Sequence, residues 1–276
     1  MDFTSDVVTL EVDGHVATLW LDRASARNAM GSALWRDLPR AAHAIANDRS
    51  IRVLIIAAKG EHFTVGLDLK EMGGALLSDV AGAASRASSN AQNYAAIRLM
   101  QESVSSIANL AVPVIAAVHG YCIGGGVDLI SACDIRLCAV DAVFSVRETR
   151  VAIVADLGTL QRLPRIIGAG HVAELALTGK DIDATRAAAI GLVNEVRGRN
   201  ADEVYRGALE LATQIAANSP LAVQGTKAVL AANDGRTIPE GLDFVARWNT
   251  MYLQSNDLKE AMAAFLERRV PVFNGD

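Results

Sequence analysis

Apolar residues alternate with polar ones or form continuous blocks in the first half of the chain. Residues 8–12 alternate, as in a half-buried strand, and an Asp13-Gly14 turn leads into a second strand over 16–21. Continuous apolar runs at 51–58 and 113–118 predict strands that are buried on both faces.

Helical spacing of apolar residues dominates the rest of the chain. Ser32 is predicted to cap a helix that runs to about Asn47. Further helices are predicted at 94–110, 166–177, 184–190, 201–217, 219–232, 238–254 and 257–268, with a short strand at 192–196. This order predicts an α/β core over residues 1–200 and a helical C-terminal region over 201–276.

The segment at 73–90 is rich in Gly, Ala and Ser and has two interpretations. It is either a mobile loop over a pocket or a loosely packed helical insertion, and the sequence does not choose between them.

Composition excludes several classes of protein. The 276 residues are 51% apolar and 21% charged, with a formal net charge of −5, so no basic field favours nucleic acid or an anionic membrane. Cys122, Cys133 and Cys138 lie in apolar surroundings without metal-ligand spacing, which predicts reduced thiols and no metal site. The N-terminus lacks a secretory signal, and VFNGD at the C-terminus is no peroxisomal signal. We therefore expect a cytoplasmic protein.

The candidate chemistry follows the strand at 113–118. Gly124, Gly125 and Gly126 open a predicted helix, whose free N–H groups and dipole can hold an anion. Asp128, Glu148 and Asp156 follow in largely apolar sequence. Three carboxylates near an anion-binding helix start indicate proton transfer beside a developing oxyanion.

Four stretches together identify a family resemblance. They are LDRASARNAM at 21–30, GEHFTVGLDL at 60–69, HGYCIGGGVDLISACDI at 119–135 and LGTLQRLPRIIG at 157–168. In this order and spacing they resemble the crotonase (enoyl-CoA hydratase/isomerase) family. The resemblance implies a spiral of ββα units with a C-terminal helical trimerisation region, a homo-trimer or hexamer, and an acyl-CoA thioester substrate with no other cofactor.

The resemblance also implies which residues bind the substrate. The thioester oxygen would lie between the backbone N–H groups of Leu67 and Gly125, which form an oxyanion hole. The alternative is structural, with Gly66 in a tight turn and the glycine triplet allowing close packing. Coenzyme A would contact Arg27, Gly66 and Lys70, and a neighbouring subunit would supply Phe265 and Arg268. The alternative is that the last helix, which carries Phe265 and Arg268, serves subunit packing only.

The chain most resembles the dienoyl-CoA isomerase branch of the family. It does so in its three carboxylates and in the stretches GGGVDLISACDIR and ADLGTLQRLP. Moving a 3,5-diene to the 2,4-position removes a proton at C2 and adds one at C6, which are far enough apart to favour two groups. By resemblance Glu148 is the base, Asp156 the acid and Asp128 an orienting group. The alternative is a 2-enoyl-CoA hydratase, in which Asp128 and Glu148 hold one water.

Each carboxylate also has a purely structural interpretation. Asp156 could cap the helix that follows it, Asp128 could cap the helix after the glycines, and Glu148 could pair with Arg147 or Arg150. A different class of function is RNA binding, known among crotonase relatives. The helix from Ser32 carries few basic residues (Arg36, Arg40 and Arg49), which disfavours it.

Overall fold

The computed structural model describes residues 3–71 and 86–276. Its strands are β1 (Val8–Asp13), β2 (Val16–Leu21), β3 (Val53–Ala58), β4 (Val114–Val118), β5 (Tyr121–Ile123), β6 (Ile135–Cys138), β7 (Val143–Ser145), β8 (Ile182–Asp183) and β9 (Glu195–Val196). Its helices are α1 (Ser32–Ala46), α2 (Arg86–Ala108), α3 (Gly125–Ser131), α4 (Thr159–Ile166), α5 (Ala169–Thr178), α6 (Ala184–Ala189), α7 (Ala201–Ala216), α8 (Pro220–Ala232), α9 (Ile238–Tyr252) and α10 (Asn256–Glu267).

The strands form two sheets between which the chain passes repeatedly. One sheet has the order β1-β2-β3-β4-β6-β9, and the other has the order β5-β7-β8. The β1–β2 pair is antiparallel, and β2 through β9 of the larger sheet pair in parallel. The ββα unit formed by β4, β5 and α3 contributes one strand to each sheet, and the unit formed by β6, β7 and α4 does the same. This is the predicted crotonase spiral of ββα units.

Both faces of the larger sheet are buried. In β3, Leu54 and Ile56 belong to the apolar cluster that contains the inner face of α1, while Val53 and Ile55 belong to the cluster that contains α7. A strand covered on both faces has no position that needs a polar residue, which is why β3 is continuously apolar.

The predicted helices of the C-terminal region are confirmed closely. Ser219 caps α8 through the N–H of Ala222, and Thr237 forms a capping box with Glu240 at the start of α9. Helix α7 packs on the larger sheet, so it shares a core with the strands. The division of the chain into two domains at residue 200 stays a prediction.

Several local predictions need correction. Ser32 is not the cap of α1: Gly31 is the N-cap residue, and Ser32 N–H donates to Glu71 Oε1 at 3.1 Å. The helix predicted over 166–177 begins at Ala169, because Gly168 at φ +77° separates it from α4, which ends at Ile166. Of the segment at 73–90, residues 73–85 lie outside the described residues and 86–90 open α2.

The three cysteines are free and buried, as predicted. Cys122 belongs to β5, Cys133 follows α3 and Cys138 ends β6. Helices that are long and apolar enough to cross a membrane do not occur in the described ranges.

Candidate active site

The turn from β5 into α3 leaves a backbone N–H free at the start of the helix. Gly124 has φ +52°, a left-handed conformation that glycine adopts without strain, and its N–H donates to the Ser145 carbonyl at 2.9 Å. Gly125 is the first residue of α3, and no described residue accepts its N–H. The helix start therefore offers a donor to a ligand.

A second free N–H comes from the segment at Leu67. Met30 N–H donates to Gly66 O at 2.8 Å and Asp68 N–H donates to Met30 O at 2.9 Å, so the chain is fixed on both sides of Leu67. Gly66 has φ +83°, and a Cβ there would lie 2.7 Å from Ile123 O. Only glycine lets this segment approach the α3 turn so closely. Within the described residues the Leu67 N–H has no acceptor.

Gly125 also has packing neighbours behind the helix start. A Cβ on this residue would lie 2.8 Å from Met30 Sδ and 3.6 Å from the Trp35 ring. A side chain at this position would therefore have to displace the Met30 thioether.

One cavity of about 270 Å³ brings the predicted residues together. Gly66, Leu67 and Gly125 line it along with all three predicted carboxylates. Most of the remaining wall is apolar, including Ile97, Met100, Ile153 and Leu157. An apolar cavity with a few convergent polar groups is the usual form of a small-molecule site.

Glu148 enters this cavity from a short 3-10 turn after β7. The pKa of Glu148 is raised from 4.5 to about 7, mainly by burial and secondly by the nearby Asp128 carboxylate. Its Oε2 is buried without a hydrogen-bond partner in the described residues. The proposed pairing with a neighbouring arginine is wrong, because Arg147 pairs with Asp181 and Arg150 donates to Gly179 O.

Asp128 is 1% exposed on α3 and holds the start of a different helix. Its Oδ1 accepts the N–H of Thr159, the first residue of α4, at 2.6 Å. Burial raises the pKa of Asp128 to about 6, and the hydrogen bonding from Thr159 opposes that rise. The interpretation that Asp128 caps α3 is therefore wrong, since its side chain bonds the first N–H of α4.

Asp156 lies in the loop before α4, half-buried at the cavity wall. It does not cap α4, whose N-cap residue is Gly158 and whose first N–H bonds Asp128. Burial raises the pKa of Asp156 above its ordinary value of 3.8. Among the described residues, no other residue bonds its carboxyl group, which is therefore free to act on a ligand.

A second cavity of about 980 Å³ adjoins the first at Leu67, which lines both. Arg27 and Lys70 line this groove, and neither has an ion-pair partner in the described part of the chain. Arg23 and Arg147 also line it, paired with Asp68 and Asp181. The sequence analysis did not predict Arg23 and Arg147 as groove residues, although Arg23 lies in the LDRASARNAM stretch.

Phe265 and Arg268 line neither cavity of their own chain. Phe265 is 78% exposed near the end of α10, and Arg268 is the left-handed residue that ends this helix. The structure thus separates them from the other predicted site residues.

The comparison with protein families decides the classification. The family model described as enoyl-CoA hydratase/isomerase matches residues 11–276. The chain belongs to the enoyl-CoA hydratase/isomerase family.

Similar members of this crotonase family carry two kinds of name. The peroxisomal Δ3,5-Δ2,4-dienoyl-CoA isomerase of Arabidopsis thaliana is 41% identical over 98% of this chain and 96% of its own. The mitochondrial protein of that name from Dictyostelium discoideum is 44% identical over 94% and 87%. The crystal structure of enoyl-CoA hydratase from Bacillus anthracis superposes with a TM-score of 0.88 at 31% identity, over 98% of this chain and 100% of that one.

Proposed function

We propose that this protein isomerises 3,5-dienoyl-CoA to 2,4-dienoyl-CoA, a reaction of unsaturated fatty acid β-oxidation. The observation that carries the proposal is the meeting of three carboxylates with raised pKa values in one cavity beside two free N–H groups. The dienoyl-CoA isomerases at 41–44% identity support it, since the hydratase structure is more distant at 31%.

Glu148 is the base in this proposal. Its carboxylate takes a C2 proton, and the electron pair spreads into a dienolate with negative charge on the thioester oxygen. The N–H groups of Leu67 and Gly125 stabilise that charge, each donor typically contributing about 3–4 kcal/mol to the transition state. Because the unpartnered Oε2 of Glu148 has no competing donor, this oxygen is available to the substrate.

Asp156 is the acid that completes the isomerisation. It delivers its proton to C6, so the double bonds end at C2 and C4. Exchange with solvent then removes the proton from Glu148 and returns one to Asp156. A raised pKa favours the protonated form that this step needs. No electron transfer is involved, so the proposed reaction requires no cofactor besides the coenzyme A of the substrate.

Asp128 orients the site in this scheme. A hydratase would need Asp128 and Glu148 to hold one water together, but an Asp128 oxygen already accepts the Thr159 N–H. This bond leaves one Asp128 oxygen for such a water. It also links Asp128 to the segment that carries Asp156.

The coenzyme A portion is proposed to bind in the groove of about 980 Å³ that Arg27 and Lys70 line. Arg27 and Lys70 supply charge for its phosphates, and Gly66 lets the chain approach its thioester end. We propose that Phe265 and Arg268 complete the site of a neighbouring subunit, which accords with their exposure and their absence from either cavity.

A homo-trimer or hexamer is proposed for the assembled protein. Several apolar side chains of α9, α10 and the tail are more than half exposed: Leu242, Met251, Leu253, Met262, Phe265, Leu266, Val270 and Val272. Such a surface favours subunit contact. We expect light scattering at micromolar concentration to give at least three times the chain mass, and a monomeric mass would contradict this.

The compartment stays a prediction. The predicted location is cytoplasmic, whereas the similar isomerases are described as peroxisomal or mitochondrial. Localising the full-length protein with a fluorescent tag in its own organism would decide between these compartments.

The pH dependence of C2 proton exchange should report Glu148. Exchange requires only the base, which acts when ionised, so its rate should rise with pH through about 7 and then level off. Asp128, with a pKa of about 6, ionises first and helps to keep Glu148 protonated to higher pH. Exchange into deuterated water, followed by mass spectrometry, measures the profile. A midpoint near the ordinary glutamate value of 4.5 would contradict the assignment.

A substrate comparison tests the proposed function itself. Incubation with a 3,5-dienoyl-CoA should produce the ultraviolet absorbance of a conjugated 2,4-dienoyl thioester. Crotonyl-CoA, a 2-enoyl thioester, should be hydrated far more slowly. Rapid hydration with no isomerisation would replace the proposal with the hydratase alternative.

A further inference from the structure

The backbone that carries Asp156 is held at three points. Asp156 O accepts from Gln101 Nε2 at 2.6 Å, Leu157 O accepts from Arg162 at 3.2 Å, and Thr159 N–H donates to Asp128 at 2.6 Å. The Asp156 carboxyl group itself has no such partner on another described residue. Its position therefore depends on how firmly its backbone is held.

Gln101 makes the contact nearest to the carboxyl group. It lies on α2, and its side-chain oxygen accepts from Arg98 Nη1 at 2.8 Å. That bond orients the amide so that its Nε2 points to Asp156 O. Since the amide of Gln101 donates to the main chain of the acid and does not line the cavity, it acts on the reaction through Asp156.

Helix α2 holds the next peptide as well, one turn later. Ser105 Oγ accepts from Arg162 Nη2 at 2.9 Å, and the same guanidinium donates to Leu157 O. Gln101 and Ser105 are four residues apart, so they lie on one face of α2. This face fixes consecutive carbonyl groups of the acid-bearing loop.

The same helix forms part of the wall against which the substrate would lie. Ile97 and Met100 of α2 line the cavity, and Ile97 is one turn before Gln101. An acyl chain packed against these side chains would thus contact the helix that fixes the acid.

We infer that Gln101 is a positioning residue that sets the place of the Asp156 carboxyl group for proton delivery at C6. The inference rests on the proposed isomerase function. Without the amide, Asp156 O loses its contact with α2 while the other two contacts remain, so the carboxyl group can shift slightly. Small displacements of a reacting group have large effects on rate. Proton removal at C2 is independent of this contact, because Glu148 lies on a separate segment.

Gln101→Met tests the inference, since it keeps the length of the side chain and removes the donor. Isomerisation should fall roughly tenfold, the upper effect of one hydrogen bond, with little change in KM. Exchange of C2 protons with deuterated water should stay near the wild-type rate. The ratio of exchange to isomerisation should therefore rise about tenfold. Glu102→Met is the matched control, because Glu102 is the exposed neighbour on the same helix, and its ratio should not change.

The outcomes separate the inference from the function on which it rests. Wild-type protein without isomerase activity would refute the proposed function. Active wild-type protein with an unchanged ratio in Gln101→Met would refute the positioning role alone. Equal loss of exchange and isomerisation, with a lowered Tm, would mean that Gln101 only stabilises the fold, and this also overturns the inference.

Discussion

Replacing Glu148 with glutamine is expected to abolish both reactions of the site. The amide cannot take a proton from C2, so isomerisation and exchange of C2 protons should each fall by about 10³-fold or more. Steady-state absorbance assays and deuterium incorporation measure the two losses separately. Both reactions depend on the same first step, so their losses should be similar.

Folding should not suffer from this change. Burial raises the pKa of Glu148 to about 7, which means that the cavity disfavours its charge, and a neutral amide removes that cost. Glu102→Gln, at an exposed position, is the control and should leave both rates unaltered. Persisting C2 exchange in Glu148→Gln would show that another group is the base.

Asp156→Asn is expected to slow isomerisation while leaving exchange of C2 protons intact. Asparagine has nearly the same size but cannot deliver a proton, so isomerisation should fall at least ~10²-fold, the lower range for a general acid. Exchange at C2 should continue, because Glu148, Leu67 and Gly125 are unchanged. The measurement is the same pair of assays, with circular dichroism to follow the fold.

A capping role for Asp156 cannot mimic this result, because Gly158 and Asp128 occupy the start of α4. Asp13→Asn provides the control, since Asp13 is exposed at the end of β1, next to the β1–β2 turn, where asparagine is also favourable. Full isomerase activity in Asp156→Asn would refute the two-carboxylate mechanism.

Elements with strong local signals could be predicted from the sequence. The continuous apolar runs predict β3 and β4, because only strands buried on both faces need no polar position. Helices α8 and α9 begin with a capping residue followed by proline within the first turn, a signal contained in a few neighbouring residues. The cavity residues were predicted through the family motifs and not from local pattern.

Contacts between distant segments could not be predicted. Serine is a favoured N-cap residue, but the Ser32 N–H donates to Glu71, which lies 39 positions away. Asp128 could be assigned to the helix that contains it, yet its partner Thr159 is 31 positions further on. In both cases the side chain bonds a group that only the fold brings near, and no local rule describes that approach.

The contact between Gln101 and Asp156 is a further example. A glutamine on a partly exposed helix has no sequence signal that distinguishes it from a solvated residue. Its role becomes visible only when the helix and the loop before α4 are seen in contact.

Cys122 precedes α3, Cys133 follows it and Cys138 ends β6, and burial lowers the reactivity of all three thiols. Burial raises the pKa of the Cys133 and Cys138 thiols to about 12, and that of Cys122 well above its usual range. Peroxides and alkylating reagents attack the thiolate form, which these residues hardly populate near neutral pH. These three thiols of the folded protein should therefore resist oxidants and alkylating reagents. Labelling of these thiols would report the opening of α3 and its neighbouring strands rather than a reactive residue.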